Sequence, residues 1–331
     1  MTMRTRCLAV AVASLILAAG LHAQVKYGGY LSFEYDQGQA ESLDPRGSIQ
    51  NIRAGGLATG AISGKFNFAL EGRYWQTDAQ FQLEQAWVGF SASKGFNIKA
   101  GLYLVPFGRW NTASRAHETL LVGTPLNIQY LYPASWRDLG LLTEGQFSVV
   151  SYAFYFGNGL KEADTLAGGQ QFSDNNKDKG KGGRFGLKLS AAFEAGVSYY
   201  TGKMDDLDER NLKLEGVDIA WVTEQWEIWG EATRGKIANP EPYANGLCEG
   251  FSIWTIMKTG RVQPVGSYQQ VTYTDPFHGP GGIAIDQKRW TAGLRIVLAE
   301  KLFIKAEYEW NNESPAELKN NLFRIQAALG F

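Results

Sequence analysis

The longest stretch of this chain without strand character, Phe107 to Ser135, carries Arg109, Arg115, His117 and Glu118 close together. Two guanidiniums sharing a narrow aqueous gap focus an electric field and attract anions, whereas the same side chains on an outward loop are merely solvated. Nucleophilic catalysis has weaker support. A triad needs a histidine beside a positioned nucleophile, and beyond the N-terminal segment only His117 and His278 remain. His278 lies in Asp275-Pro276-Phe277-His278-Gly279-Pro280-Gly281-Gly282, a turn-rich segment with no strand-mounted serine beside it. Its glycines read as loop punctuation and not as a phosphate cradle, because no helix follows. The residues thus point away from an enzyme.

Composition and targeting narrow the setting. Arg4 and Arg6 precede an uncharged apolar run from Cys7 to Leu21, and Leu21-His22-Ala23 closes it, so residues 1–23 read as a secretory signal peptide cut after Ala23. The run is shorter than the ~20 residues a spanning helix needs. Cys7 sits early in the run, which removes a lipoprotein cleavage site. Without Arg4 and Arg6, 30 of the 32 basic residues face 33 acids, a net charge of about −3. That balance lacks the concentrated basic face that nucleic acid requires. Cys248 is the one cysteine after cleavage, which excludes an internal disulfide and cysteine-built zinc or iron–sulfur sites. No cofactor is called for.

The elements that must position these side chains are strands. Ile62, Phe66, Phe68, Leu70 and Tyr74 alternate with Lys65, Asn67, Glu71 and Arg73, a period of two. In 302–310, Leu302, Ile304, Ala306, Tyr308 and Trp310 oppose Lys305, Glu307 and Glu309, and in 288–298 Trp290, Ala292, Leu294 and Ile296 oppose Arg289 and Arg295. The alternation continues in segments near the ~9–11 residues that cross a bilayer when tilted. The pattern predicts an all-β fold, a transmembrane antiparallel β-barrel of about sixteen strands, with fourteen as the alternative. Residues 24–331 form one domain in this reading. Connections alternate between long and short, except that the one near 76 is short and the one over 259–265 long. An even strand count returns both termini to the periplasmic side. Within the long connection a short helix is expected from Thr112 to Leu121, capped by Asn111 or Thr112.

Aromatic side chains near strand ends, among them Trp75, Trp87, Trp110, Trp136 and Trp254, with Trp221, Trp226 and Trp310, suit a membrane-interface girdle. The acidic run Asp205, Asp206, Asp208 and Glu209 offers carboxylates that could hold calcium or bridge lipopolysaccharide through divalent ions, although the full spacing of a calcium loop is missing. A solvated loop explains that run as well. The chain ends in Phe323, Ile325, Ala327 and Leu329 alternating with Arg324 and Gln326, then Phe331. A final strand closing on phenylalanine resembles the assembly signal of bacterial outer-membrane barrels.

One block carries a more specific resemblance. Glu84-Gln85-Ala86-Trp87-Val88-Gly89-Phe90, then Phe96 to Leu104, then Val105-Pro106-Phe107-Gly108-Arg109, with Arg137-Asp138-Leu139-Gly140 and Tyr152 to Gly159 following, resembles the porin family typified by the phosphate-selective porins O and P. The likeness covers about 80–160 and is architectural elsewhere. It implies a bacterial outer-membrane porin, a homotrimer, and a loop over 106–135 folded into the lumen with Arg109, Arg115, His117 and Glu118 at the constriction. Arg73, Lys99, Arg295 and Lys305 would line the lumen.

Phosphate selectivity does not follow, because inward positions mix those cations with Glu71, Glu84, Glu227, Glu231, Glu307 and Glu309. The expected function is a passive channel for small hydrophilic solutes or ions, with an anion preference if the loop arginines face the pore. Its partners would be those solutes, outer-membrane lipid and lipopolysaccharide, and the barrel assembly machinery. The alternatives are a closed barrel serving as adhesin or scaffold, and a substrate-specific anion or organic-acid channel.

Overall fold

In the computed structural model, residues 24–76, 80–274 and 284–331 are described. Residues 1–23, expected to be a signal peptide, and His278 lie outside them. The described chain forms a closed antiparallel barrel of sixteen strands. In order these are β1 (Gln24–Gly38), β2 (Ser48–Ser63), β3 (Phe66–Trp75), β4 (Gln80–Ser93), β5 (Phe96–Leu104), β6 (Arg137–Phe147), β7 (Val150–Gly157) and β8 (Gly180–Lys188). They continue as β9 (Phe193–Lys203), β10 (Asn211–Val222), β11 (Trp226–Ala238), β12 (Gly246–Met257), β13 (Val262–Thr274), β14 (Ala284–Ala299), β15 (Leu302–Ser314) and β16 (Leu322–Gly330). Each strand pairs with its sequence neighbours, and β16 returns to β1 with Tyr30 opposite Gly330. The sixteen-strand expectation therefore holds.

Two-residue turns close one end, at Gly64-Lys65, Lys94-Gly95, Ser148-Val149 and Glu300-Lys301. Ser148 and Lys301 adopt φ of 52° and 58°, the left-handed conformation that a tight hairpin turn demands. Both ends of the described chain lie at this end. Where the sequence suggested a long turn over 259–265, β13 begins at Val262, so the connection after Met257 is short like its counterparts. The continuous alternation over 62–74 is in turn cut after Ser63 by the Gly64-Lys65 turn.

At the seam, Gly29 and Phe331 exchange backbone hydrogen bonds of 3.0 Å in both directions. A Cβ at Gly29 would stand 2.4 Å from Cζ of Phe331, so only glycine lets the terminal ring lie over the backbone there. The ring itself is exposed on the outer wall.

The terminal strands obey the expected rule. Ile325 and Phe331 face outward while Gln326 is buried, and in β15 Lys305, Glu307 and Glu309 are buried inside while Trp310 is exposed. Toward the long-loop ends of β10 and β11 the rule inverts. Leu212, Leu214 and Ile237 point inward and are fully buried, whereas Lys213, Glu215, Arg234 and Lys236 face outward. The outward charges pair, with Arg234 Nε 2.8 Å from Glu249 Oε1.

The reason for the inversion lies inside. Phe107, Trp110, Leu126, Ile128, Tyr132 and Trp136 of the long connection form a buried apolar cluster with Tyr155, Tyr200, Leu214, Trp229, Trp254 and Val271 of the β7–β13 wall. One side of the barrel interior is thus packed like a protein core, which needs apolar inward positions. The aromatic expectation changes accordingly. Trp110, Trp136 and Trp254 are buried inside, and Trp75 and Trp87 sit beneath Arg53 and Lys99, at 4.5 Å in each case. Of the tryptophans named from sequence, Trp221, Trp226 and Trp310 remain exposed on the outer wall.

Candidate functional site

The connection from Val105 to Trp136 lacks the expected helix. Thr112 to Leu121 is turns around a 3-10 segment, Trp110–Thr112, and the helix present is α1, Leu126–Leu131, which starts behind Pro125. Asn111 is fully buried and its side chain does other work than capping. It donates to Val105 O and Trp136 O, both at 2.8 Å, and accepts from Trp136 N at 2.6 Å, so it ties the two stems of the connection together.

Side chains on the inner wall hold the backbone of this loop. Glu231 of β11 accepts from the N–H groups of Arg109 (2.9 Å) and Trp110 (3.2 Å) and from the hydroxyl of Tyr132. Glu307 of β15 accepts from Val122 N (2.9 Å) and Gly123 N (2.7 Å). Gln269 of β13 accepts from Leu126 N at 2.9 Å. Lys305 donates its ammonium to Ala116 O (2.6 Å), Thr119 O (2.7 Å), Thr119 Oγ1 (3.0 Å) and Leu121 O (3.3 Å). An irregular segment carries unpaired backbone groups, and buried ones must find partners. Here wall carboxylates take the N–H groups and a wall lysine takes the carbonyls.

The residues singled out from sequence fall into three places. Arg115 and Glu118 meet Arg73 on the side of the loop facing β1–β4. Arg115 is bidentate on Glu71, with Nε and Nη2 at 2.8 and 2.7 Å, and also contacts Glu118 Oε1 at 3.2 Å. Burial draws the Arg115 pKa down, but the two carboxylates outweigh it and hold the guanidinium above its ordinary value. Arg73 pairs with Glu84 at 3.0 Å. His117 wedges against the β1–β16 seam, its ring 6.1 Å from that of Tyr30. Burial lowers the His117 pKa, aided by Arg115 and the lysines nearby against the opposing pull of Glu118.

Arg109 lies on the other flank of the loop, 2.8 Å from Glu194 and 3.8 Å from Asp218. Lys99 is bound to Glu144 at 2.6 Å. Arg295 reaches Gln263 Oε1 at 2.9 and 2.7 Å toward the short-turn end, away from the Arg115 group. Lys305 is the clearest departure from expectation, being a buried clasp under the loop and not a free lumen cation. A loop with its own carbonyls to satisfy recruits the lysine.

Sequence reasoning passed over Arg53, Glu34 and Asp36. Arg53 contributes to the same gap as Arg73 and Arg115. Glu34 is fully buried, accepts from Asn51 and Gln326, both at 2.8 Å, and lies 3.8 Å from Arg53. The alternation of Glu34 and Asp36 with Phe33 and Tyr35 was a usable signal. Arg53 had none, because a register shift between Ser32 and Glu34, with Asn51 at φ 54°, resets which residues of β2 face inward.

Comparison with solved structures places the architecture. A trimer form of OmpT from Vibrio cholerae superposes with a TM-score of 0.66 at 14% identity over 93% of this chain and 99% of that one. The anion-selective porin of Comamonas acidovorans gives 0.68 at 13% over 93% and 100% of the two chains. OmpF of Salmonella typhi in complex with daunomycin gives 0.68 at 12% over 94% and 98%. The fold is that of the outer-membrane porins. Identity this low carries the fold and nothing finer. No family model matches the sequence. A protein of Aquifex aeolicus (strain VF5) described as uncharacterized is 23% identical over 213 residues, and the match spans 60% of this chain and 48% of that protein's length. The matched region thus covers about half of that relative.

Proposed function

We propose that this chain is an outer-membrane porin, a passive diffusion channel for small hydrophilic solutes and ions whose constriction lies between the 106–135 loop and the β1–β4 wall. The observation that carries this reading is the division of the interior. The β7–β13 side is packed apolar core, whereas the β1–β4 side carries Arg53, Arg73 and Arg115 interleaved with Glu71 and Glu84. A barrel whose only purpose was closure would fill both sides with apolar side chains, since buried ion pairs add little net stability. Cavities of about 530 Å³ toward the long loops and about 440 Å³ toward the short turns flank the loop.

In this reading residues 1–23 are a leader, the termini and short turns are periplasmic, the long loops face outward, and lipid with lipopolysaccharide covers the outer wall. Phe331 serves the assembly machinery. The trimeric OmpT relative supports a homotrimer. Arg53, Arg73 and Arg115 each have a carboxylate beside them, which argues for a weakly selective channel over an anion-specific or phosphate-selective one. The chain performs diffusion and no covalent chemistry. Planar-bilayer recording of the refolded protein tests the proposal. Stepwise conductance is expected, and its absence across preparations that show heat-modifiable folding overturns it.

A further inference from the structure

The long-loop mouth holds a cavity of about 530 Å³ between β1, β2, β14–β16 and the C-terminal part of the inward loop. That volume falls within the range of small-molecule sites. Its ionisable lining is unbalanced. Asp36, Glu41, Asp44, Glu309 and Glu313 contribute five carboxylates against the guanidiniums of Arg289 and Arg324.

Both guanidiniums already stand beside carboxylates of the cavity. Arg324 stands 3.3 Å from Glu309 Oε1 and 3.8 Å from Asp36 Oδ2. Arg289 donates to Asn311 Oδ1 at 2.7 Å and lies 3.4 Å from Glu309 Oε2. Three amide donors are spent on the carboxylates. Gln50 gives its NH2 to Asp36 and Asp44, at 2.9 and 2.7 Å, and Gln287 and Asn320 each donate to Glu313 Oε1 at 2.8 Å. Among the described residues, the buried polar atoms left without a hydrogen bond here are four acceptors and one donor, Arg324 Nε. Asp36 is 2% exposed and Glu309 1%, yet Asp36 Oδ1 and Glu309 Oε2 accept no hydrogen bond, nor do Glu313 Oε2 and Asn320 Oδ1.

A site in which five carboxylates face two guanidiniums, and unsatisfied acceptors outnumber unsatisfied donors, is complementary to a group that carries positive charge and only donates. Ammonium and guanidinium are such groups. Leu43, Leu318 and Leu322 border the same cavity and offer apolar surface for an alkyl stem. We propose that this vestibule binds small organic cations, an ammonium or guanidinium on a short aliphatic chain, and biases the channel toward cations. The inference rests on the channel reading for its transport consequence, but the binding itself stands apart from conduction.

The probe is n-butylguanidinium, with tetramethylammonium as a cation of similar charge that has no N–H donor. Titration calorimetry on detergent-folded protein should show binding of n-butylguanidinium and none of tetramethylammonium. In bilayers n-butylguanidinium should block current from the long-loop side, and a KCl gradient should give a cation-selective reversal potential. Glu313→Gln, which removes charge from a partly exposed carboxylate and keeps its amide partners in place, should weaken binding about tenfold. Asp36→Asn should do the same and move the reversal potential toward zero. Equal binding of the two probes, or binding unchanged in both variants, overturns the inference even if the channel conducts. An anion-selective reversal potential overturns its cation-bias half. Binding without any conductance upholds the site and overturns the channel reading instead.

Discussion

Replacing Lys305 by methionine tests whether the inward loop is clasped by the wall or only packed against it. The ammonium meets Ala116 O, Thr119 O and Leu121 O at 2.6, 2.7 and 3.3 Å, and the side chain is 2% exposed. Methionine keeps most of the volume and removes every donor. Ala116 O and Thr119 O then lose the ammonium, while Leu121 O keeps the Thr119 hydroxyl at 2.8 Å, and a buried acceptor left unpaired costs about 1–3 kcal/mol. Two effects reduce the sum. Wild type already bears the desolvation of an ammonium, and water entering from the lumen can bond the freed carbonyls.

A net loss of about 2–4 kcal/mol in holding the 116–121 segment follows, with Glu231, Glu307 and Gln269 still anchoring the rest. At about 1.4 kcal/mol per factor of ten, the released segment becomes roughly 30 to 1000 times more populated. Two assays read it. Single-channel current should gain frequent substate flicker, and limited trypsin digestion of folded protein should cut after Arg115 faster by a comparable factor. A Lys305→Met protein that folds normally, with wild-type noise and an unchanged cleavage rate, would refute the clasp.

Other outcomes follow from the same geometry. Arg115→Ala leaves Glu71, 2% exposed, without its bidentate partner and should move the reversal potential toward cations, whereas Arg109→Ala, on the far flank and paired with Glu194, should move it much less; equal shifts would misplace the constriction. The His117 pKa is lowered in its seat, so the released loop takes up a proton first as pH falls below ~6.5. The seat's contribution is therefore complete above that value and lost on acidification. Current noise should rise between about pH 7 and 5 and stay flat in His117→Gln. Gly330→Val places a Cβ 2.5 Å from His117 Cδ2 and should lower the yield of heat-modifiable barrel, as measured by gel mobility with and without boiling.

Much of the barrel was legible because hydrocarbon imposes a period of two on any strand that touches it. Lys305, Glu307 and Glu309 against Tyr308 and Trp310 is that signature, and strand number and closure followed from counting such segments. The signature fails where the inner face is also dry. Leu212 and Leu214 look lipid-facing in sequence, yet they pack beneath the loop while Lys213 and Glu215 point out, because periodicity separates two faces without saying which is inside. The loop arginines were visible as charges, but their split between Glu71 on one flank and Glu194 on the other was not.

By itself, then, the sequence determined the all-β alternation, a count of fourteen to sixteen strands, the inward burial of charge on the terminal strands and a long irregular segment after Pro106. Those are local properties, set by neighbouring residues and the solvent each face meets. The tertiary structure alone decided that Lys305 clasps the loop, that Arg53 joins Arg73 and Arg115, and that surplus carboxylates gather at one mouth. Arg53 and Arg73 share a hairpin, but the infolding of the loop brings Arg115 to them and the loop carbonyls to Lys305, and closure of the sheet between β16 and β1 gathers the carboxylates at the mouth.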